Sequence, residues 1–524
     1  MPATIASGAS TTYGDHAESS SRELFGEVAL EALDSAGLTP TDLDAVYVGN
    51  FMGNLIEDQG HMGPLLADAI GAPETESVRF ESACASGGAT FRQAVLAIES
   101  GAADAVLAGG VELMSLADIE HVTDALANAA DEVYENEQGL TFPGIYALMA
   151  RRYMHEFDVS REDLAAVSVK NHANGVANPL AQFQRELTVE EVVESKPIAT
   201  PLALYDACPV SDGASAVVVV SEAFAAARDL DPVASVLGTG QSSDALALHD
   251  RGSISRTPAA ARAAQEAYRE AGVTVDDVDV AEVHDCFTIA EVMALEALGA
   301  YDRGAGARGA VDGETAVDGS FPVNPSGGLL GKGHPVGATG IGQLVELTKQ
   351  LRGGAPEPGH RRGGRARAQR RRERCERHGH HPGGCVTVPA WYDTFTDAIA
   401  AGEPQCLACA ACGDASLPPR QVCPACGSTE LTSEPLSGRG TILSFTEISV
   451  TTPKFHGETP YTVVMSELDE GVVLSGQLRE ATAADVAIGE SVVLDTETRA
   501  DGPTLITFRP ADAEATAAGD RDDA

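Results

Sequence analysis

Two short segments carry residues able to act together as a nucleophile and its base. The first is Glu81-Ser82-Ala83-Cys84-Ala85-Ser86-Gly87-Gly88. The second is Gly331-Lys332-Gly333-His334-Pro335-Val336-Gly337-Ala338-Thr339-Gly340. A thiol beside an imidazole can pass its proton on, and a cysteine ahead of a helix feels the positive end of the helix dipole. Each segment leads into an apolar helical pattern, FRQAVLAIES after the first and GIGQLVELTKQL after the second. His334 sits in a glycine-rich turn closed by proline, which fixes where the imidazole points. A third segment, His284-Asp285-Cys286-Phe287, ends the strand pattern VDVAEV, and strand-end loops are where α/β folds place chemistry. A fourth pairs Cys409 and Cys412 with Cys423 and Cys426, ten residues apart. Four thiolates in two tight knuckles suit a structural zinc, with no coordination position open for catalysis. Cys406 falls out of that register, and Cys208, in DACPVSDG, reads as structural.

These groups are mounted on an internal repeat. AGLTPTDLDAVYVGN, from Ala36, matches AGVTVDDVDVAEVHD, from Ala271, at an offset of 235. A helix-strand unit duplicated at that distance implies two related halves, whose equivalent loops would meet at a pseudo-twofold axis and bring Cys84 to His334. Alanine-rich amphipathic helices alternate with the short apolar runs DAVYVGN, DAVLAGGVEL, ASAVVVV and VDVAEVH, which predicts α/β architecture. The halves are read as 1–228 and 229–352, with a charged, strand-poor insertion at about 115–200 that could cover a site. Residues 389–430 read as a helix and a zinc ribbon. Residues 431–510 read as alternating β segments of a small antiparallel barrel or sandwich, and 511–524 as an acidic disordered tail.

The formal charge is -43, with 5 Lys and 30 Arg against 78 acids spread along the whole chain. That balance fits the proteome of a salt-in halophile such as a haloarchaeon, where hydrated carboxylates keep proteins soluble and salt screens their repulsion. It argues against nonspecific nucleic-acid binding. No apolar run reaches the roughly 18 residues of a membrane span, and no secretory signal opens the sequence. Ten cysteines, four of them in CxxC pairs, suit a reducing cytosol, so a cytoplasmic protein is expected. No glycine motif reads as a dinucleotide or P-loop site.

Residues 353–388 break the pattern. From His360 to His381 there are nine Arg, four His and two Glu, and removing this stretch leaves 26 basic against 76 acidic residues. A basic linker or nucleic-acid arm is one reading. The genetic code supports another. Back-translated and read one nucleotide later, residues 368–383 permit HNVGGSGASAMVTILE, a glycine turn and a buried strand. A stop codon in the shifted frame can then overlap a start codon at Val386-Thr387. A frameshift, natural or from sequencing, between about Gly353 and His360 would have joined two overlapping genes.

The segments SACASGG, GGVELMS, TFPGIYALMARRYM, KNHANGVANPLAQFQ, DACPVSDGASA, VHDCF and GHPVGATG together resemble a thiolase of the sterol-carrier-protein type found in archaea. The shifted-frame HNVGGSGAS resembles that family's terminal glycine motif. The ribbon and TPKFHGETPYTVV resemble the zinc-ribbon and OB-fold proteins encoded beside archaeal thiolases. The resemblance implies a duplicated thiolase fold, layered αβαβα, followed by a zinc ribbon and an OB-type barrel. It implies coenzyme A thioester substrates, Cys84 as the acyl-accepting nucleophile, and His334 as its base and a donor to a thioester oxygen. Cys286 would take the α-proton of a second thioester, and His284 would help shape the oxyanion site. The terminal glycine turn would donate a backbone N–H to the acyl-enzyme oxyanion. The implied activity is acetyl-CoA C-acetyltransferase, feeding mevalonate synthesis, with hydroxymethylglutaryl-CoA synthase as a partner and the thiolase part forming a homo-oligomer. The rivals are a degradative 3-ketoacyl-CoA thiolase, a thiolase-like retro-aldolase, and an inactive scaffold with a binding ribbon.

Overall fold

In the computed structural model the residues described are 2–353, 389–499 and 502–511. The junction expected at 353–388 and the tail expected at 511–524 therefore lie almost entirely outside them. The chain divides into two units, 1–355 with 444–463, and 356–443 with 464–524.

The apolar runs of the first half become a six-stranded mixed sheet. Its strands are β1 (Ala3–Ser10), β2 (Ala45–Gly49), β3 (Glu76–Phe80), β4 (Ala105–Glu112), β7 (Gly213–Ser221) and β8 (Ala234–Ser235), in the order β3-β2-β4-β7-β1-β8. A hairpin of β5 (Pro197–Ala199) and β6 (Leu202–Ala203) lies outside it. β4 and β7 are buried at every residue, as their unbroken apolar runs predict for central strands. Helix Ser21–Ser35 packs on one face through Leu24, Phe25, Val28 and Leu33. Its start is fixed by a capping box, in which Ser20 bonds Glu23 and Glu23 bonds back. The opposite face takes Phe91, Val95 and Ile98 of helix Ser86–Ser100, together with Ile341 and Val345 of helix Thr339–Leu351. Each side chain of this size buried from water contributes about 1.5–3 kcal/mol.

The two helices that follow the nucleophile and histidine segments therefore lie side by side on one sheet. Their closeness depends on missing side chains. A Cβ on Gly340 would lie 2.4 Å from Gly88 N, and one on Gly110 would lie 2.1 Å from Gly337 O.

The repeat is visible atom by atom. Thr39 N–H donates to Asp42 Oδ2 at 2.9 Å, and 235 residues later Thr274 N–H donates to Asp277 Oδ2 at 2.9 Å. The strand predicted for VDVAEVH differs. Among the described residues it makes one bridge, Ala281 to Val323. In the first half, β2 gains its register from β4, which follows the helix Ser86–Ser100. Helix Pro258–Ala271, the counterpart of Ser21–Ser35, has no fully buried residue despite its amphipathic sequence.

Residues 115–200 are mainly helical, with Phe142–Phe157 and Arg161–Val176 the longest helices. Segment 444–463 belongs to the same unit and holds the first of these. Ser444 Oγ donates to Leu148 O at 2.8 Å, the Arg151 guanidinium lies 3.9 Å over the Phe445 ring, and Tyr461 OH donates to Gly139 O at 2.7 Å.

In the second unit, helix Ala390–Ala400 precedes a three-stranded ribbon, β10-β9-β11, from β9 (Gln405–Cys409), β10 (Ala415–Ser416) and β11 (Leu431–Pro435). The predicted β segments follow as β12 (Arg439–Ile448), β13 (Tyr461–Leu468), β14 (Val473–Leu478), β15 (Ser491–Glu497) and β16 (Leu505–Pro510), with the end of β12 and the start of β13 falling in the segment 444–463 of the first unit. Their order, β13-β14-β16-β15-β12 with β12 also paired to β13, closes a five-stranded barrel of OB type.

Candidate active site

Cys84 lies in a single 3-10 turn, Ala83–Ala85, between the end of β3 and the helix Ser86–Ser100. The turn is held on both sides. Ser86 Oγ donates to Ala83 O at 2.7 Å and accepts from Ser82 N–H at 2.9 Å. Ala83 is in the left-handed region, φ 45°, a strained setting that a scaffold keeps where a side chain must be aimed.

His334 is buried, and its Nε2 lies 3.4 Å from Cys84 Sγ. Its Nδ1 is 2.6 Å from Thr339 Oγ1. Thr339 spends its own hydroxyl proton on Pro335 O at 3.0 Å, so its oxygen accepts from Nδ1–H. That leaves Nε2 with a lone pair facing the thiol. Burial, and then the neighbouring His284, hold His334 neutral, well below the ordinary imidazole range. The His284 ring meets His334 edge-on at 5.0 Å, and burial lowers its pKa to about 4. One donor-type atom each of Cys84, His284 and His334 falls within 4.8 Å of the others.

Sequence reasoning expects a lowered pKa at Cys84. The structure gives the opposite at rest. Burial, followed by the Glu112 charge, pushes the thiol up to about 12, because the helix end does not offset desolvation among Phe51, Met52, Met114 and Val336. The resting pair is a neutral thiol facing a neutral imidazole.

Cys286 is buried beside this pair, and burial raises its thiol further. Its loop is fixed by a buried polar network. Asp285 accepts from Asn171 Nδ2 at 2.7 Å and from Leu329 N–H at 2.7 Å. Asn171 Nδ2 also donates to Glu291, which Lys170 engages at 3.0 Å. Asn324 joins Glu291 to Val283 N–H. Just past the loop, Thr288 donates to the buried Asp206 at 3.0 Å, which Arg161 also engages.

Sequence reasoning missed two residues here, Glu112 and Tyr146. Cys208, read as structural, lies at this site. Its N–H donates to Cys286 O at 2.9 Å, and its sulfur is electrostatically coupled to Cys84. Glu112 lies buried under the Cys84 loop. It marks itself in sequence only as the one acid ending the apolar run DAVLAGGVEL. Tyr146, stacked 4.7 Å from Phe287, carries no signal separating it from other helical tyrosines.

In the ribbon, Cys409, Cys412, Cys423 and Cys426 converge with their sulfurs within 4.8 Å, and Cys406 stays outside the group. Two of the separations, Cys409 to Cys426 and Cys412 to Cys423, are 3.6 Å. Sulfurs at about 2.3 Å from one zinc at tetrahedral angles stand at about that spacing, so the donor set fits the metal.

The thiolase N-terminal domain matches residues 3–223, and the thiolase C-terminal domain-like description matches 240–367. Acetyl-CoA acetyltransferase of Methanothermobacter thermautotrophicus is 46% identical over 66% of this chain and 89% of its own. The chain belongs to the thiolase family. A second thiolase relative, the acetyl-CoA acetyltransferase of Methanocaldococcus jannaschii, is 43% identical over 65% of this chain and 88% of its own. The ChsH2 rubredoxin-like zinc ribbon matches 408–432 and the ChsH2 C-terminal OB-fold matches 433–497. A solved Ltp2-ChsH2(DUF35) aldolase is similar at a TM-score of 0.59 and 28% identity, covering 67% of this chain and 90% of that one. This thiolase is thus an acyltransferase of coenzyme A thioesters, and its ribbon cysteines hold a structural zinc. Among the described residues no helix is long and apolar enough to cross a membrane.

Proposed function

We propose that the chain condenses two acetyl-CoA molecules to acetoacetyl-CoA through an acyl-enzyme on Cys84. The observation that carries this reading is the 3.4 Å approach of His334 Nε2 to Cys84 Sγ, with Cys286 beside them. The protons balance. His334 takes the proton of Cys84 as its sulfur attacks the thioester. The departing coenzyme A sulfur takes the proton of Cys286, leaving a thiolate close to an imidazolium. Cys286 then removes the α-proton of the second acetyl-CoA, and the resulting enolate attacks the acyl carbon. The carbon–sulfur bond to Cys84 breaks, and that sulfur recovers its proton from His334. His284, edge-on to His334, is placed to help stabilise the developing oxyanion.

The names of the archaeal relatives support acetyl transfer in particular. Condensation is uphill, so a consumer of acetoacetyl-CoA would complete the sequence. Hydroxymethylglutaryl-CoA synthase, at the head of mevalonate synthesis, is the partner we assign to the ribbon and barrel. A second reading, retro-aldol cleavage, draws support from the aldolase title of the similar structure. The Cys84–His334 pair favours thioester chemistry over it.

The test separates the half-reactions. Cys84→Ala should abolish acyl-enzyme formation from labelled acetyl-CoA, whereas Cys286→Ala should still acylate and fail to condense. Equal acylation of the wild type and Cys84→Ala would end the assignment.

A further inference from the structure

Three groups assigned to the proposed reaction also form a donor set for a metal ion. One ligand atom each of Cys84, His284 and His334 lies within 4.8 Å of the other two. His334 Nε2 stands 3.4 Å from Cys84 Sγ, and the two imidazole rings meet edge-on with centroids 5.0 Å apart. A sulfur at about 2.3 Å and a nitrogen at about 2.0–2.1 Å from one zinc, at the tetrahedral angle, are about 3.5 Å apart. Cys84 and His334 thus already stand at the separation of two ligands of one ion. Orientation is set as well. The Nδ1–H of His334 is bonded to Thr339 Oγ1 at 2.6 Å, which leaves the Nε2 lone pair facing the thiol. Metal-ligating histidines are commonly held by such a bond at the far nitrogen, which fixes tautomer and ring together. Cys84 and His284 keep part of their surface open, and His334 is buried.

We propose that Cys84, His284 and His334 bind a soft divalent cation of the zinc class, in a state that excludes acylation. As the sulfur–metal bond forms, the S–H bond breaks and its proton leaves to solvent. Each imidazole gives a nitrogen lone pair, and no oxidation state changes. One thiolate and two imidazoles leave a fourth position open, unlike the four sulfurs of the ribbon, so this site holds its ion more weakly and releases it first. The donor atoms also set selectivity. The 78 acids of the chain offer oxygen, which suits magnesium and calcium, whereas sulfur and imidazole nitrogen favour zinc. Metal and acyl group then compete for one sulfur. That competition rests on Cys84 being the nucleophile, whereas the metal site itself does not.

The test is equilibrium dialysis of the full chain, its ribbon already loaded, against zinc in excess magnesium. The wild type should take up about one further zinc, which Cys84→Ser and His284→Ala should each lose. Thr339→Val should weaken that uptake about tenfold to a hundredfold. In the unmodified chain, zinc should slow alkylation of Cys84 by iodoacetamide, and return to zinc-free buffer should restore it. A further zinc that persists in both Cys84→Ser and His284→Ala would be an ion on surface carboxylates and would overturn the proposal. So would the lack of further uptake together with an unprotected Cys84. If zinc binds through the three residues while labelled acetyl-CoA leaves no acyl group on Cys84 of the zinc-free site, the reaction assignment fails and the metal site stands.

Discussion

The carboxylate of Glu112 accepts a hydrogen bond from the backbone N–H of Gly337, 2.9 Å away and 225 residues later in the chain. The same carboxylate takes Phe51 N–H at 3.0 Å, Met52 N–H at 2.9 Å and Asn50 Nδ2 at 2.8 Å. One buried acid thus ties the loop after β2 to the turn carrying His334, directly beneath Cys84.

Glu112→Gln tests this tie. Burial pushes the carboxyl from 4.5 to about 7, against three N–H bonds that pull it down. The folded chain therefore holds the proton more tightly than the unfolded one. The contribution of Glu112 to stability is greatest below about pH 4.5 and declines as pH rises toward 7. The amide has no charge to bury but loses one acceptor, at a cost of about 1–3 kcal/mol. The melting gap between wild type and E112Q should be widest near pH 4 and narrow by about pH 7.5. Acylation of Cys84 should slow about tenfold in E112Q, since His334 loses its reference to the nucleophile loop. Melting curves that stay parallel across this range would mean Glu112 does not titrate there.

The full chain should carry about one zinc per molecule, and Cys412→Ser should lower that content. Chelation should lower the melting transition of the ribbon while leaving acylation of Cys84 in place, because the four sulfurs lie in a different unit from the thiol. Metal analysis that finds no zinc in freshly purified protein would count against this site.

The genomic DNA across codons 350 to 390 should contain a one-nucleotide slip relative to the written frame. The version restored by one nucleotide, made as two chains, should condense acetyl-CoA about a hundredfold to a thousandfold faster than the written chain, the usual range for regaining one oxyanion donor. A confirmed frame together with full activity of the written chain would refute the frameshift.

Spacing and residue type made part of this molecule readable in advance. The offset of 235 placed Cys84 near His334 because duplicated loops return to one axis, and the two CxxC pairs placed the metal because thiolate geometry is local. β2, β4 and β7 announced themselves as apolar runs. Glu112 did not, since what distinguishes it is which distant backbone it meets. Nor did the thiol of Cys84 follow its motif, because desolvation depends on side chains drawn from three separate segments, 51–52, 114 and 336. The run VDVAEVH had strand composition, yet a strand is completed only by its neighbours.

Asn50 and Asp285 stand 235 residues apart at equivalent ends of the repeat, and both are fully buried. Asn50 offers its amide to the Glu112 carboxylate, whereas Asp285 offers its carboxylate to the Asn171 amide. The two positions use opposite polarity and draw their partners from different parts of the chain, β4 for one and the helix Arg161–Val176 for the other. Two halves that began as copies have become complementary, and a second copy of the later half could no longer stand in for the earlier one. It would set an aspartate against the buried Glu112, and of two such carboxyls only one could readily ionise. The inversion of one amide and one acid makes the duplication a one-way step.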